Sequence, residues 1–152
     1  MTKKTLIPLI CSYIVAFAIN LIPSIKYLDS NVTILNLLVT ILFIVTLLAF
    51  VKKGTLKNGF NKSLNIFLTF GFLSGLIVYV ITRFEHITLE YAILDVIASI
   101  HYPFYIIFTT PLFGLSYLFG VNYGIFSLLM SVVYLSAIIL LVTSKRLVNQ
   151  SA

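Results

Sequence analysis

The stretch EHITLEYAILDVIASIHYPFYIIFTTPLFG, Glu85 to Gly114, holds three of the chain's four acids and both of its histidines, then becomes an apolar run broken by two prolines. The fold turns on whether it is a soluble loop, a membrane crossing or a segment lying on and dipping into a bilayer. At helical spacing Glu85, Glu90 and Asp95 lie about 140° apart, so no one face shelters all three carboxylates. An acid costs about 2.5–3.5 kcal/mol at the centre of a crossing. The first half, up to His101, is therefore expected to stay out of the hydrocarbon as an interfacial helix. The second half, Val96–Phe119, is apolar enough to enter it, but Pro103 and Pro111 interrupt any continuous helix.

The remainder of the chain leaves little choice of solvent. Of its 152 residues 61 % are hydrophobic and 9 % charged, with a mean hydropathy of +1.13; an ordinary soluble domain is about a quarter charged. So short a chain cannot bury that much apolar surface in itself, and no linker or internal repeat divides it. Residues 1–152 read as a single membrane-embedded domain. A helix needs about 20 mostly apolar residues to cross. Four runs, about 5–25, 32–51, 63–82 and 123–144, meet this without one Asp, Glu, Lys, Arg or His. The start, MTKK with Ala16-Phe17-Ala18, imitates a cleavable signal peptide, but the apolar run continues to Ile25 and reads as an uncleaved anchor.

Charge then sets the orientation. With four crossings and the amino end in the cytoplasm, Lys3, Lys4, Lys52, Lys53, Lys57, Lys62, Lys145 and Arg146 fall inside and only Lys26 and Arg83 outside. That is the positive-inside bias, with both termini cytoplasmic. Lys52, Lys53, Lys57 and Lys62 would meet the anionic lipid of the inner leaflet, at about 1 kcal/mol each. The basic balance points to lipid and not to nucleic acid, for which no basic patch stands clear of the membrane ends. Lysine outnumbers arginine eight to two, the habit of an AT-rich bacterial genome, and the expected location is a bacterial inner membrane.

The same bias bears on the opening stretch. A single crossing within 96–119 would turn the last helix over and send Lys145 and Arg146 outside. An outer interfacial helix followed by a re-entrant or broken segment, about 84–120, keeps them inside. Irregular backbone at depth then has to be covered by other helices. The alternative is five transmembrane helices, with Gly120–Gly124 as a tight hairpin turn.

Chemistry-bearing residues are few. On a helix starting near Arg83, the side chains of Arg83, His86, Glu90 and His101 fall within about 60°, a candidate outer polar cluster. His86 and Glu90 have the i, i+4 spacing of two metal ligands, but His101 stands about 16 Å beyond Glu90, and a third ligand is missing. The plainer interpretation is an interfacial helix showing its polar face to water, so no catalytic residue, metal or cofactor is assigned. Tyr91, Tyr102, Tyr105, Tyr117 and Tyr123 read as interface anchors, and Cys11 as an inert buried thiol. Inside the crossings the polar groups are neutral: Ser12, Ala16 and Asn20, Asn36 and Thr40, Asn65 and Thr69, Ser127 and Ser131 repeat at i, i+4. With Gly71-x-x-x-Gly75 and Gly120-x-x-x-Gly124 they are helix-packing surfaces.

An ion-coupled transporter usually keeps an intramembrane ionisable residue, and these runs contain none. The expectation is a non-enzymatic accessory, assembly or protective subunit that binds another membrane protein. The alternatives are a homo-oligomeric channel or carrier for a small neutral or cationic solute, which requires self-association, and an outer-leaflet enzyme using His86, Glu90 and His101.

Overall fold

A computed structural model describes residues 3–26, 31–54, 61–84, 96 and 99–150. Apart from short turns and connections those residues are helical, without strands. Four long helices are α1 (Lys3–Ile25), α2 (Ile34–Gly54), α3 (Asn61–Arg83) and α5 (Tyr123–Gln150). Before α5 comes a helical segment that changes pitch twice: α4 (His101–Phe104), a π-helical turn (Tyr105–Thr109) and a 3-10 helix (Thr110–Tyr117). The expected interfacial helix falls on residues that lie mostly outside those described.

All four long helices are long and apolar enough to cross a membrane, over Leu6–Ile25, Ile34–Lys52, Lys62–Arg83 and Tyr123–Ser144, with mean hydropathy of 2.1–2.9. Only 17–39 % of each such window is buried, so most of the apolar surface faces outward, which suits lipid as solvent. Ile7, Ile14, Ile22, Val80 and Ile139 all project from the bundle. Cys11 does too: it is exposed, contrary to the buried thiol expected, because the inner face of α1 is taken by Ser12, Ala16 and Asn20.

Short polar side chains fix the helix starts. Thr33 precedes α2, and Asn36 Oδ1 reaches back to accept the Thr33 N–H at 2.9 Å and its hydroxyl at 2.7 Å, a variant of the capping box. Asn122 caps α5 by accepting the Ile125 N–H at 2.9 Å.

Two antiparallel pairs build the bundle. Contacts between α1 and α2 run from Ser12 with Thr46 to Asn20 with Thr40 and Asn36, one helix ascending as the other descends. The α3–α5 pair does the same, with Gly71 against Tyr134, Gly75 against Ser127 and Ser131, and Thr82 against Gly124. This brings the starts of α1 and α3 and the ends of α2 and α5 to one end of the bundle. Lys3, Lys4, Lys52, Lys53, Lys62, Lys145 and Arg146 all belong to those helix ends. We refer to it as the basic end.

The pitch-changing segment packs between the pairs, its 3-10 part on α1 and α2 and its first half on α3. Phe108 sits at its centre, its ring 5.4 Å from Phe67 and 6.3 Å from Tyr134. Tyr13 extends the cluster to Phe43 at 5.6 Å, the offset and edge contacts that aromatic rings favour.

Candidate functional site

A proline removes a backbone donor and leaves the carbonyl three or four residues earlier without its helical partner. In hydrocarbon no water replaces it, so another side chain has to. Pro23 lies inside α1, and the Ile19 carbonyl four residues before it accepts Asn36 Nδ2 at 3.2 Å. Pro111 lies at the start of the 3-10 helix. The Ile107 carbonyl accepts the Tyr13 hydroxyl at 2.9 Å, and the Phe108 carbonyl accepts the Tyr134 hydroxyl at 2.7 Å. The breaks at Pro23 and Pro111 are thus repaired by donors from neighbouring helices.

Around Pro111 these repairs join into a buried network. Its own carbonyl accepts Thr40 Oγ1 at 3.1 Å, with Asn20 Nδ2 at 3.5 Å. Asn20 Nδ2 also donates to Thr40 Oγ1 at 2.9 Å, while Asn20 Oδ1 accepts Asn36 Nδ2 at 3.0 Å. Ser24 Oγ and Thr110 Oγ1 are 3.0 Å apart, and Ser74 donates to the Phe104 carbonyl at 3.0 Å. Asn20, Thr40, Ser74 and Thr110 are fully buried. An unpaired buried group costs about 1–3 kcal/mol, so the network holds only as a set. Its chemistry is structural: it carries hydrogen bonds and no charge.

Backbone approach does the rest. A methyl on Gly114 would strike the Asn36 carbonyl, and one on Gly75 the Ser127 carbonyl. On Gly71 it would fall 2.6 Å from the Tyr134 ring, and on Gly124 it would meet the Thr82 hydroxyl; Gly120 has nothing within 4 Å. Ser127 and Ser131 are buried along the α3–α5 contact. Thr69, by contrast, turns back to the Asn65 carbonyl on an exposed surface. Gly114, Tyr13 and Tyr134 were missed as site residues. Gly114 lies in no small-residue repeat, and the tyrosines lie 94 and 26 residues from the carbonyls they serve.

The outer polar cluster is only partly placed. His86 and Glu90 lie outside the described residues. Arg83 is exposed at the end of α3, and His101 is buried at the start of α4, its ring 6.1 Å from Tyr123. Tyr123 also lines a cleft of about 330 Å³ with Tyr79, Thr82, Arg83, Asn122, Gly124 and Ile125, so it neighbours both. Of the expected interface tyrosines, Tyr102 and Tyr117 are exposed, whereas Tyr105 is buried with its ring 4.5 Å from that of Tyr123. At the basic end Lys52 and Lys62 are exposed; the Lys53 side chain and Lys57 lie outside the description. No group of three metal-binding side chains occurs among the described residues.

No protein-family model, curated protein or solved structure matches this chain.

Proposed function

We propose that this chain is a small multi-pass protein of the bacterial inner membrane, a non-enzymatic accessory, assembly or protective subunit that binds another membrane protein. Four helices cross, both termini are cytoplasmic, and the 96–119 region is re-entrant from the outer face. Support for re-entry comes from the neighbours met along it. His101 lies by Tyr123 at the start of α5, Ile107 is held by Tyr13 half-way along α1, and Gly114 is back beside Asn36 near the start of α2.

One observation carries the partner-binding role. On the outward face of α2, Ile34, Leu35, Leu38, Ile41, Leu42, Val45 and Ala49 are exposed, an apolar stripe within which Leu35, Leu38, Leu42, Val45 and Ala49 are spaced alternately three and four residues apart. Any exposed helix face repeats at this spacing, as Val132, Leu135, Ile139 and Val142 do on α5, and each such stripe offers a partner helix a continuous apolar surface. A seam of period 3.5 is what a second helix needs to keep its knobs in register. The buried face of the same helix, Val39, Phe43, Leu47 and Phe50, is already used within the bundle.

A photo-reactive residue at Leu42, illuminated in native membranes, is expected to give one discrete adduct with another membrane protein. The same residue at Ile139, in the exposed stripe of α5, shows whether the contact is confined to α2. Identical diffuse lipid adducts at both positions would remove the support for a partner. An adduct at twice 17.1 kDa that accompanies solute flux in liposomes would replace the accessory role with a homo-oligomeric channel.

A further inference from the structure

A second cavity opens at the basic end, where α1 and α3 stand apart. It is a slot of about 250 Å³ lined by Leu6, Leu9, Ile10 and Tyr13 of α1, Phe43 and Phe50 of α2, and Ser63, Leu64 and Phe67 of α3. The α1 residues recur at i, i+3, i+4 and i+7, one stripe about 10 Å long at 1.5 Å per residue. Phe43 and Phe50 span the same length on the facing helix. The slot therefore runs parallel to the helices. Tyr13 and Phe67, with ring centroids 6.4 Å apart, close it toward the bundle centre.

Its shape selects among occupants. A helix with its side chains is about 10–12 Å across, too wide for a slot of this volume. The wall is apolar but for the Ser63 and Tyr13 hydroxyls, and Tyr13 spends its proton on Ile107. A hydrocarbon chain suits such a wall. At the open end the residues next along the chain are cationic: Lys62 precedes Ser63, Lys52 follows Phe50 by two positions, and both are exposed. Slot and charges together describe a molecule with an apolar tail and an anionic head.

We infer that the slot between α1, α2 and α3 binds one acyl chain of an anionic phospholipid from the inner leaflet, with Lys62 and Lys52 holding its phosphate. This rests on the proposed membrane orientation, not on the accessory role. The lysines of the basic end are more than a topological signal: two of them complete a lipid site.

The test uses the full chain purified in nanodiscs of equal phosphatidylglycerol and phosphatidylcholine, then released for native mass spectrometry. One retained phosphatidylglycerol per chain is expected. Lys62→Gln should lower that retention about fivefold, the worth of one juxtamembrane cation. Ile10→Trp, which fills the slot, should abolish it. Ile41→Trp, on the exposed side of α2, should leave it intact and show that the bundle tolerates an added indole. If Ile10→Trp fails to fold, Leu6→Trp at the open end serves instead. Equal retention of the two lipids, no retention by the wild type, or full retention by the slot-filled variants overturns the site. A protein that needs detergent to leave the membrane yet carries no lipid sinks this inference and leaves the membrane placement standing; one that is soluble without detergent sinks both.

Discussion

At Gly114 the absent methyl matters because the Asn36 carbonyl and the Thr40 hydroxyl occupy its place. Backbone cannot swing aside as a side-chain tip can, so Gly114→Ala must push the 3-10 helix off α2 and strain the Asn20–Asn36–Thr40 network. Overpacking of this kind costs about 1–3 kcal/mol, occasionally more. Gly75→Ala meets the Ser127 carbonyl and falls in the same range. Gly120→Ala meets nothing, and surface substitutions of that sort stay within about 0.5 kcal/mol. Thermal unfolding in a mild detergent should order the three variants accordingly; a Gly114→Ala protein as stable as Gly120→Ala would show that the close approach is not needed. Spacing in the sequence flagged Gly71, Gly75, Gly120 and Gly124, of which Gly120 meets nothing, but not Gly114. A GxxxG repeat is a property of one helix, whereas the approach at Gly114 is made by an element 78 positions earlier in the chain.

For the elements, uncharged length was the legible quantity. Four runs without an ionisable residue became four long helices; α2 starts two residues later than its run, after the Thr33 cap, and α5 starts at Tyr123 as expected, after the Asn122 cap. The two prolines of the opening stretch marked irregular helix, and the described chain changes pitch there twice. What holds the irregularity was not legible, since Tyr13 and Tyr134 look like any other aromatic in an apolar run. A double-mutant cycle tests the repair. In the wild type, Tyr13→Phe leaves the Ile107 carbonyl unpaired, a loss of about 1–3 kcal/mol. Pro111→Ala gives the backbone its own N–H for that carbonyl, so Tyr13→Phe should cost markedly less in that background. The difference is a coupling energy between two residues that act on the same carbonyl. Equal losses in both backgrounds would mean that the hydroxyl does not substitute for the missing amide.

At the scale of the molecule, eight basic residues against two give the proposed orientation its only charge argument. After Cys11→Ser, single cysteines at Lys57 and Gln150 should react with a membrane-impermeant thiol reagent only when the cytoplasmic face is opened. Labelling of Gln150 from outside would mean five crossings and a 96–119 segment that passes through. The proline repairs also impose an order on biogenesis. For a chain made from its amino end, Tyr13, Asn20, Asn36 and Thr40 are already in place when the segment holding Pro111 leaves the ribosome. Tyr134 follows 26 residues behind Phe108, so one carbonyl waits unserved until the last helix is threaded by the insertion machinery. Final closure thereby waits until α5 has been made, and a product cut short before that tyrosine carries a marked defect for quality-control proteases to find.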